Sequence, residues 1–499
     1  MRPVPSLILL SCLLPVAHAA DSWILRPEER WSFSWEERRL ANQDGVSAPG
    51  FSRSALPVRP GVWGEAGAEA GWSSAAQPIQ MPGGTAQRRG VQGLAWAEGW
   101  GAWGPLFVHL RPEALIGSSA RVPNPIARES WTGVAPTVPL EPIELTPRAT
   151  LGISGLGHIL AVSNEPFRWG EGIFGGVVMG QSWSGFPHLV LATRGPQTPA
   201  PAGSWLEPLA LNYELVLGQL VDAKPIAGDG VLFSGLRAAL RWEAVTFSWS
   251  KAILSGGSAQ PAMPADDLAH ALFSPRNGNE AAVPGAVNPN RISSLGVRVD
   301  WPTTVAWSIE YGLDDASPHR DGPIKTPFTT GFATWYSAAW TMTADWLDIT
   351  GDGDWRTAVE WFRSEHYFYD HSVAPWDDDN RPLAHPDGGN ANSLRWLVQH
   401  VDGDAGRWTL LGTWRRLGWR NAVSGNPNDY RGDPGIAGTS GYAPMPWDTW
   451  GLLLRWEQPL DEAWRVSATL GGSYDRNRNF DPADDGLSAQ AGLGVARNW

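Results

Sequence analysis

The sequence predicts an all-β chain: an antiparallel transmembrane β-barrel of about 18 strands behind a short N-terminal periplasmic helical segment. Three observations predict it. Apolar and polar residues alternate with a period of two along most of the chain after Gly61. The connections between these runs alternate between short turns and long polar loops. The last run ends on Trp499, an apolar end suited to a strand in a membrane wall.

Residues 1–19 read as a secretory signal peptide. Arg2 precedes an apolar run from Val4 to Val16, and Ala17-His18-Ala19 supplies small residues before a cleavage point after Ala19. Cys12, the only cysteine, lies within that run, so the mature chain is expected to need no disulfide. Residues 20–60 read as a short periplasmic helical segment. Pro27 suits a first helical turn, Glu28 and Glu29 suit its positive end, and Gly45 suits a stop.

From residue 61 to 499 the pattern is that of the barrel. In the clearest hairpin, Leu295, Val297, Val299 and Trp301 share one face, with Gly296, Arg298 and Asp300 on the other. After Pro302-Thr303, Val305, Trp307, Ile309, Tyr311 and Leu313 resume the apolar face, opposite Thr304, Ala306, Ser308 and Glu310. Lipid outside and a wet lumen inside demand this division. Further strand-like runs lie near 331–346, 355–366, 393–401, 407–418, 447–457, 463–474 and 486–499. Short turns fall at 302–303, 349–354, 402–406 and 458–462, and long loops at 256–291, 314–330, 367–392 and 419–446. With both ends of the barrel in the periplasm the strand number is even, and counting back to Gly61 favours eighteen over sixteen. In the last strand Leu493, Val495 and Trp499 share a face, with Arg497 an unusual member of that row. Such an end suits the barrel-assembly machinery of the outer membrane.

Composition agrees. The chain carries 31 Trp and 57 Gly, with only 18% charged residues, which fits aromatic girdles on alternating strands. Its net charge of −13 argues against nucleic acid as a partner. No segment after the signal approaches the ~18 consecutive apolar residues of a membrane helix.

Several blocks carry a family resemblance. Val162-Ser163-Asn164-Glu165-Pro166-Phe167-Arg168-Trp169-Gly170-Glu171-Gly172, with Phe186-Pro187-His188-Leu189-Val190-Leu191 after it, resembles a W-G-x-G segment and its Pro-containing strand. His366-Tyr367-Phe368-Tyr369-Asp370-His371 resembles an aromatic-His-Asp loop, and the stretch from Arg381 to Asn390 resembles the segment C-terminal to that loop. Asn288-Pro289-Asn290-Arg291, and the stretch from Leu25-Arg26 to Gly45-Val46, fit as well. Together these resemble the Wzi capsule-assembly family. Departures fall near loops: Glu171-Gly172 stands where the family often has Pro-Gly, His371 where it has Gly, and Ala384 in place of another Gly. The stretch from Phe51 to Gly61 is also short for the family's further N-terminal helices. The resemblance implies an 18-stranded outer-membrane barrel acting as a surface lectin for capsular polysaccharide. It does not imply an enzyme.

Two groups of residues suit sugars, whose apolar faces stack on aromatic rings and whose hydroxyls bond to carboxylates and guanidinium groups. The first is Tyr369, Asp370, His371, Trp376, Asp378, Arg381, His385 and Asp387 in the loop 367–392. The alternative reading is a folded outer loop without a ligand. The second is Trp169, Glu171 and Trp183 with His188, in a Gly-rich segment. Here the alternative is a loop folded into the lumen as a plug. Asp348, Asp352 and Asp354 have the spacing that opens a calcium loop, but Val359 stands where the closing acid belongs, and Asp-Gly pairs also make tight turns. No nucleophile elbow or H-E-x-x-H motif is present.

The reading is of a monomeric outer-membrane surface lectin, without a cofactor, that binds and helps attach or organise capsular or extracellular polysaccharide. Its partners would be that polysaccharide, outer-membrane lipid and lipopolysaccharide, and the assembly machinery during biogenesis. The alternative is an outer-membrane porin or glycan-uptake channel.

Overall fold

A computed structural model describes residues 61–74, 89–118, 120–123, 137–140, 142–180, 185–193, 197, 204–206, 208–221, 230–257, 262–274, 289–300, 305–314, 338–346, 348–351, 354–365, 368–369, 376–378, 381–389, 391–402, 406–418, 446–461, 463–477 and 485–498. Residues 1–19, read above as a signal peptide, residues 20–60, read as helical, and Trp183, Asp352, Asp370, His371 and Trp499 lie outside them.

The strands are β1 (Gly61–Ser73), β2 (Gly90–Trp103), β3 (Leu106–Gly117), β4 (Ala120–Pro123), β5 (Thr137–Leu140), β6 (Ile143–Gly155), β7 (His158–Ser163) and β8 (His188–Thr193). Then come β9 (Leu209–Gln219), β10 (Val231–Trp242), β11 (Val245–Gly256), β12 (Asn290–Asp300), β13 (Val305–Asp314), β14 (Ala338–Trp346) and β15 (Trp355–Ser364). The series ends with β16 (Asp377–Asp378), β17 (Arg381–Pro382), β18 (Ala391–Asp402), β19 (Gly406–Leu417), β20 (Trp447–Pro459), β21 (Trp464–Arg476) and β22 (Gly486–Asn498). Among the described residues one helix, α1 (Ala265–Phe273), lies between β11 and β12.

β4 pairs with β5, and β16 with β17, as separate hairpins. The other strands form one 18-stranded antiparallel sheet in which each pairs with the next in sequence. β22 then pairs with β1, from Glu65↔Asn498 to Ser73↔Gln490, and the sheet closes. Closure satisfies every edge, which is what lets strands cross a bilayer. No helix among the described residues is long and apolar enough to do so.

The two faces follow the alternation. Leu295 on β12 is 63% exposed on the outer surface, whereas Arg298 is 4% exposed and points inward. The register sets Leu295 beside Tyr311, Val297 beside Ile309 and Val299 beside Trp307, so the apolar face of the hairpin is continuous. The same division holds on β20, where Leu452 and Leu454 face out and Arg455 and Glu457 face in.

The two ends of the barrel differ. At one, here the turn end, connections span 104–105, 156–157, 243–244, 301–304, 347–354, 403–405 and 460–463, with one longer segment at 194–208. Leu156 and Gly157 both have positive φ, the conformation of a two-residue hairpin turn. At the other, the loop end, connections include 118–142, 164–187, 257–289, 365–390 and 418–446. The described ends of the barrel, Gly61 and Asn498, both lie at the turn end.

Outward aromatic pairs mark both ends: Trp307–Trp346 and Trp408–Trp456 near the turns, Tyr311–Trp340 and Trp450–Tyr474 near the loops. Arg497 lies outward with its guanidinium 5.3 Å from the Trp464 ring centroid. A cation held over an indole in this way sits comfortably at a membrane boundary. The helix α1 packs on the outside of the wall, where Ala271 and Leu272 cover Leu236 and Ile253.

Candidate functional site

The described parts of the loops 164–187 and 365–390 fold into the barrel and meet there. Their path follows from the wall. Glu310 on β13 and Glu360 on β15 are carboxylates facing the lumen, each with a lone pair to fill. Glu310 accepts the backbone N–H groups of Glu171 (3.2 Å) and Val177 (3.4 Å). Glu360 accepts those of Ile173 and Phe174, the latter at 3.0 Å. A loop without regular structure would otherwise carry unsatisfied N–H groups into the lumen, so two wall carboxylates act as its caps.

Glycine is what lets the loop coil this tightly. Gly170 has φ +133°, a conformation costly for other residues. A methyl group at Gly176 would collide with the carbonyl of Trp169, and one at Gly180 with that of Ala384. The Glu171 carboxylate pairs with Arg237 of β10 at 2.9 Å, and the Ser308 hydroxyl donates to the Glu171 carbonyl at 3.0 Å.

The second loop locks onto the first. The Tyr369 hydroxyl donates to the Val177 carbonyl (2.6 Å), the Trp376 indole N–H to the Val178 carbonyl (2.8 Å) and the Gly180 N–H to the Leu383 carbonyl (2.7 Å). Trp169, Phe186, Phe233 and Trp376 pack into a common core and are fully buried. Tyr369 has φ +71°, strained for a bulky residue, and its N–H is held by Asp314 at 2.7 Å. The two loops are therefore one plug.

Charge fastens the second loop to the wall. The Asp387 carboxylate accepts from Ser393 (2.6 Å) and Arg395 (2.8 Å), with Arg415 4.0 Å away. Burial would raise its pKa, but Arg395, His385 and Arg415 outweigh burial and hold it at about 2. The His385 ring stacks on Phe362 with centroids 3.6 Å apart, and lies 3.3 Å from Glu360. Burial pushes the His385 imidazole below its ordinary value, against the upward pull of Glu360 and Asp387.

The stem of the first loop has its own anchor. Glu165 lies 2.6 Å from His109 Nδ1 and accepts the Thr150 hydroxyl at 2.7 Å. His109 Nε2 lies 2.9 Å from Glu98, and Trp100 stacks on the ring. Burial would raise the Glu165 carboxyl; the His109 ring, Thr150 and Arg111 bring it down to about 2.

The candidate residues fall into three groups. Trp169, Glu171, Tyr369, Trp376, His385 and Asp387 come together in the plug, all nearly or fully buried, so in this arrangement they present no surface to a sugar. Asp378 and Arg381 lie on the small β16–β17 hairpin, directly paired. Trp183, Asp370 and His371 lie outside the described residues. Of the spaced aspartates, Asp348 accepts the Gly351 N–H at 2.7 Å, as a tight turn requires. The wall residues Glu310, Glu360, Arg237, Arg395 and His109 belong to no motif, and sequence reasoning misses them. The signal, where there is one, is a charge at a polar position of the alternation, as in Ser308-Ile309-Glu310.

No family model matches the chain, and no curated protein matches it by sequence. Among solved structures it is similar to Wzi of Escherichia coli, described as an outer-membrane protein involved in group 1 capsule assembly and a carbohydrate-binding β-barrel. The TM-score is 0.58 at 15% identity, over 92% of this chain and 88% of that one. It also aligns with OccAB4 of Acinetobacter baumannii, with a TM-score of 0.43 and 8% identity over 89% of this chain and 99% of that one. Likeness at this identity is likeness of fold: a closed barrel of the outer-membrane kind.

Proposed function

We propose that the chain is an outer-membrane surface lectin that binds and helps attach or organise capsular or extracellular polysaccharide. The observation that carries the reading is the plug. Two interlocked loops folded into the lumen favour a partner at the loop end over an open channel. In this reading the loop end faces the cell exterior and the turn end the periplasm, the usual division of long and short connections. The fold shared with a carbohydrate-binding barrel and the motif resemblance support the same conclusion. The glycan contacts are assigned to the remaining candidates: Asp370, His371, Asp378 and Arg381, with Trp183 from the neighbouring loop. Their carboxylate, imidazole, guanidinium and indole groups suit sugar hydroxyls and ring faces. The role is one of binding, without a chemical step.

The test is retention of polysaccharide by whole cells and its binding to purified protein. Asp370→Ala combined with Arg381→Ala is expected to lower both by about tenfold, as loss of two charge-assisted contacts implies. The assembled barrel should remain heat-modifiable on a gel. Unchanged retention in that variant would remove these residues from the site. Large steady single-channel currents from the unmodified protein in planar bilayers would overturn the plugged-lectin reading in favour of a porin.

A further inference from the structure

On a membrane barrel the outward face of each strand meets lipid, so a charge there is costly except at the boundary with the headgroups. Among the described strand residues, six Lys and Arg face outward: Lys251, Arg291, Arg363, Arg416, Arg476 and Arg497. Arg291, Arg363, Arg416 and Arg476 are at the loop end, Lys251 is buried mid-strand beneath α1 with its Nζ on the Ser274 carbonyl at 2.9 Å, and Arg497 alone is at the turn end. Among the described residues these four arginines meet three carboxylates there: Asp448 on β20, Glu365 just beyond β15, and Asp485, which accepts from the Tyr474 hydroxyl next to Arg476. This is a positive collar on a chain whose net charge is −13.

Register makes part of it a row. Arg363, Asn392, Arg416, Asp448 and Arg476 are directly paired across β15, β18, β19, β20 and β21. The outward row next to it, toward the turn end, is Trp361, Leu394, Trp414, Trp450 and Tyr474, an aromatic girdle. The guanidinium of Arg363 lies 6.0 Å from the Trp340 ring and that of Arg416 6.0 Å from Trp414. Arg416 gives Nε and one terminal nitrogen to Asp448, at 2.6 and 2.9 Å, while its side chain stays 36% exposed with further N–H donors in hand. Arg476 is exposed. Two strands, about 10 Å, separate Arg416 from each of the other two arginines.

We propose that this collar binds the phosphate groups of the phosphorylated glycolipid in the outer leaflet, seating its sugar headgroup against the barrel just above the aromatic girdle. Guanidinium groups match phosphate geometry, and clustered cations at a membrane boundary recognise anionic headgroups. The inference rests on the orientation adopted above, with the loop end outside. It does not depend on polysaccharide binding, so each can fail alone.

The experiment uses the purified, refolded full chain and native mass spectrometry. Bisphosphorylated lipid A is expected to remain bound, while its dephosphorylated form, phosphatidylglycerol and inorganic phosphate are lost. The combined Arg363→Gln, Arg416→Gln and Arg476→Gln variant should lose about tenfold or more in lipid A occupancy, and Arg476→Gln alone, which breaks no ion pair among the described residues, several-fold. Arg497→Gln at the opposite end should retain it in full. Equal retention of dephosphorylated lipid A or of phosphatidylglycerol, an undiminished triple variant that is still heat-modifiable, or an equal loss in Arg497→Gln would overturn the assignment.

Discussion

His385 is neutral where it sits because burial disfavours its charged form, and that gives the plug a pH dependence. A group whose folded pKa is depressed binds more protons when released than when packed. Plug stability is therefore fully present above the ordinary imidazole value of about 6.5 and falls as pH drops below it. Asp387 and Glu165, both held near 2, keep their contribution over that whole window. Conductance in planar bilayers is expected to rise on acidification from pH about 7 toward 5, and His385→Gln should flatten the dependence. A pH-independent current in the unmodified protein would sink this account. Little of this was legible in the sequence. His385 and Asp387 stood out as polar residues in an aromatic loop, but a loop presented to solvent and one folded inward read alike. The carboxylates that decide between them, Glu310 and Glu360, lie 139 and 187 residues from their N–H partners.

At the scale of the element, the strands were legible and the loops were not. Period-two alternation is local, so the hairpin 295–313 could be read with its faces correctly assigned. It is the same pattern that lipid and lumen impose. The Gly-rich segment was legible as permission for close approach and as a loop folded into the lumen, but its contacts were not. The structure supplies the partner, which is the loop's own backbone and that of the second loop. Gly176→Ala tests this directly. The added methyl has no space beside the Trp169 carbonyl, so the 164–187 coil must open. The barrel should still assemble, because no wall strand is touched. Single-channel recording should show conductance steps that the unmodified protein lacks. Currents identical to those of the parent would show that the coil relaxes without opening the lumen.

For the whole molecule, closure and number were legible: parity of loop lengths demands an even count, and eighteen strands close through β1 and β22. The membrane then sets the cost of error. Leu452, in the middle of β20, faces lipid and is 55% exposed on the protein alone. Leu452→Arg is expected to destabilise the folded barrel in bilayers by about 2–4 kcal/mol if it lies near the midplane, and less toward either interface. Thr413→Arg on the neighbouring strand, pointing inward, should cost less in the membrane and act through the lumen instead. Equilibrium unfolding in lipid vesicles measures the difference, and equal costs for the two would contradict the assignment of faces.

The interlocked plug also sets an order of events during folding. Trp376 donates to Val178 across 198 residues of chain, and Glu171 meets Glu310 across 139. A chain that has formed only its first nine wall strands has neither the carboxylates nor the second loop, and holds the 164–187 segment open. Contacts so distant in sequence are slow to make, because loop-closure entropy comes before any reward. Interlocking of the two loops is thus a late step that comes after β15 and β18. The locked loops double as a record that these strands are in place.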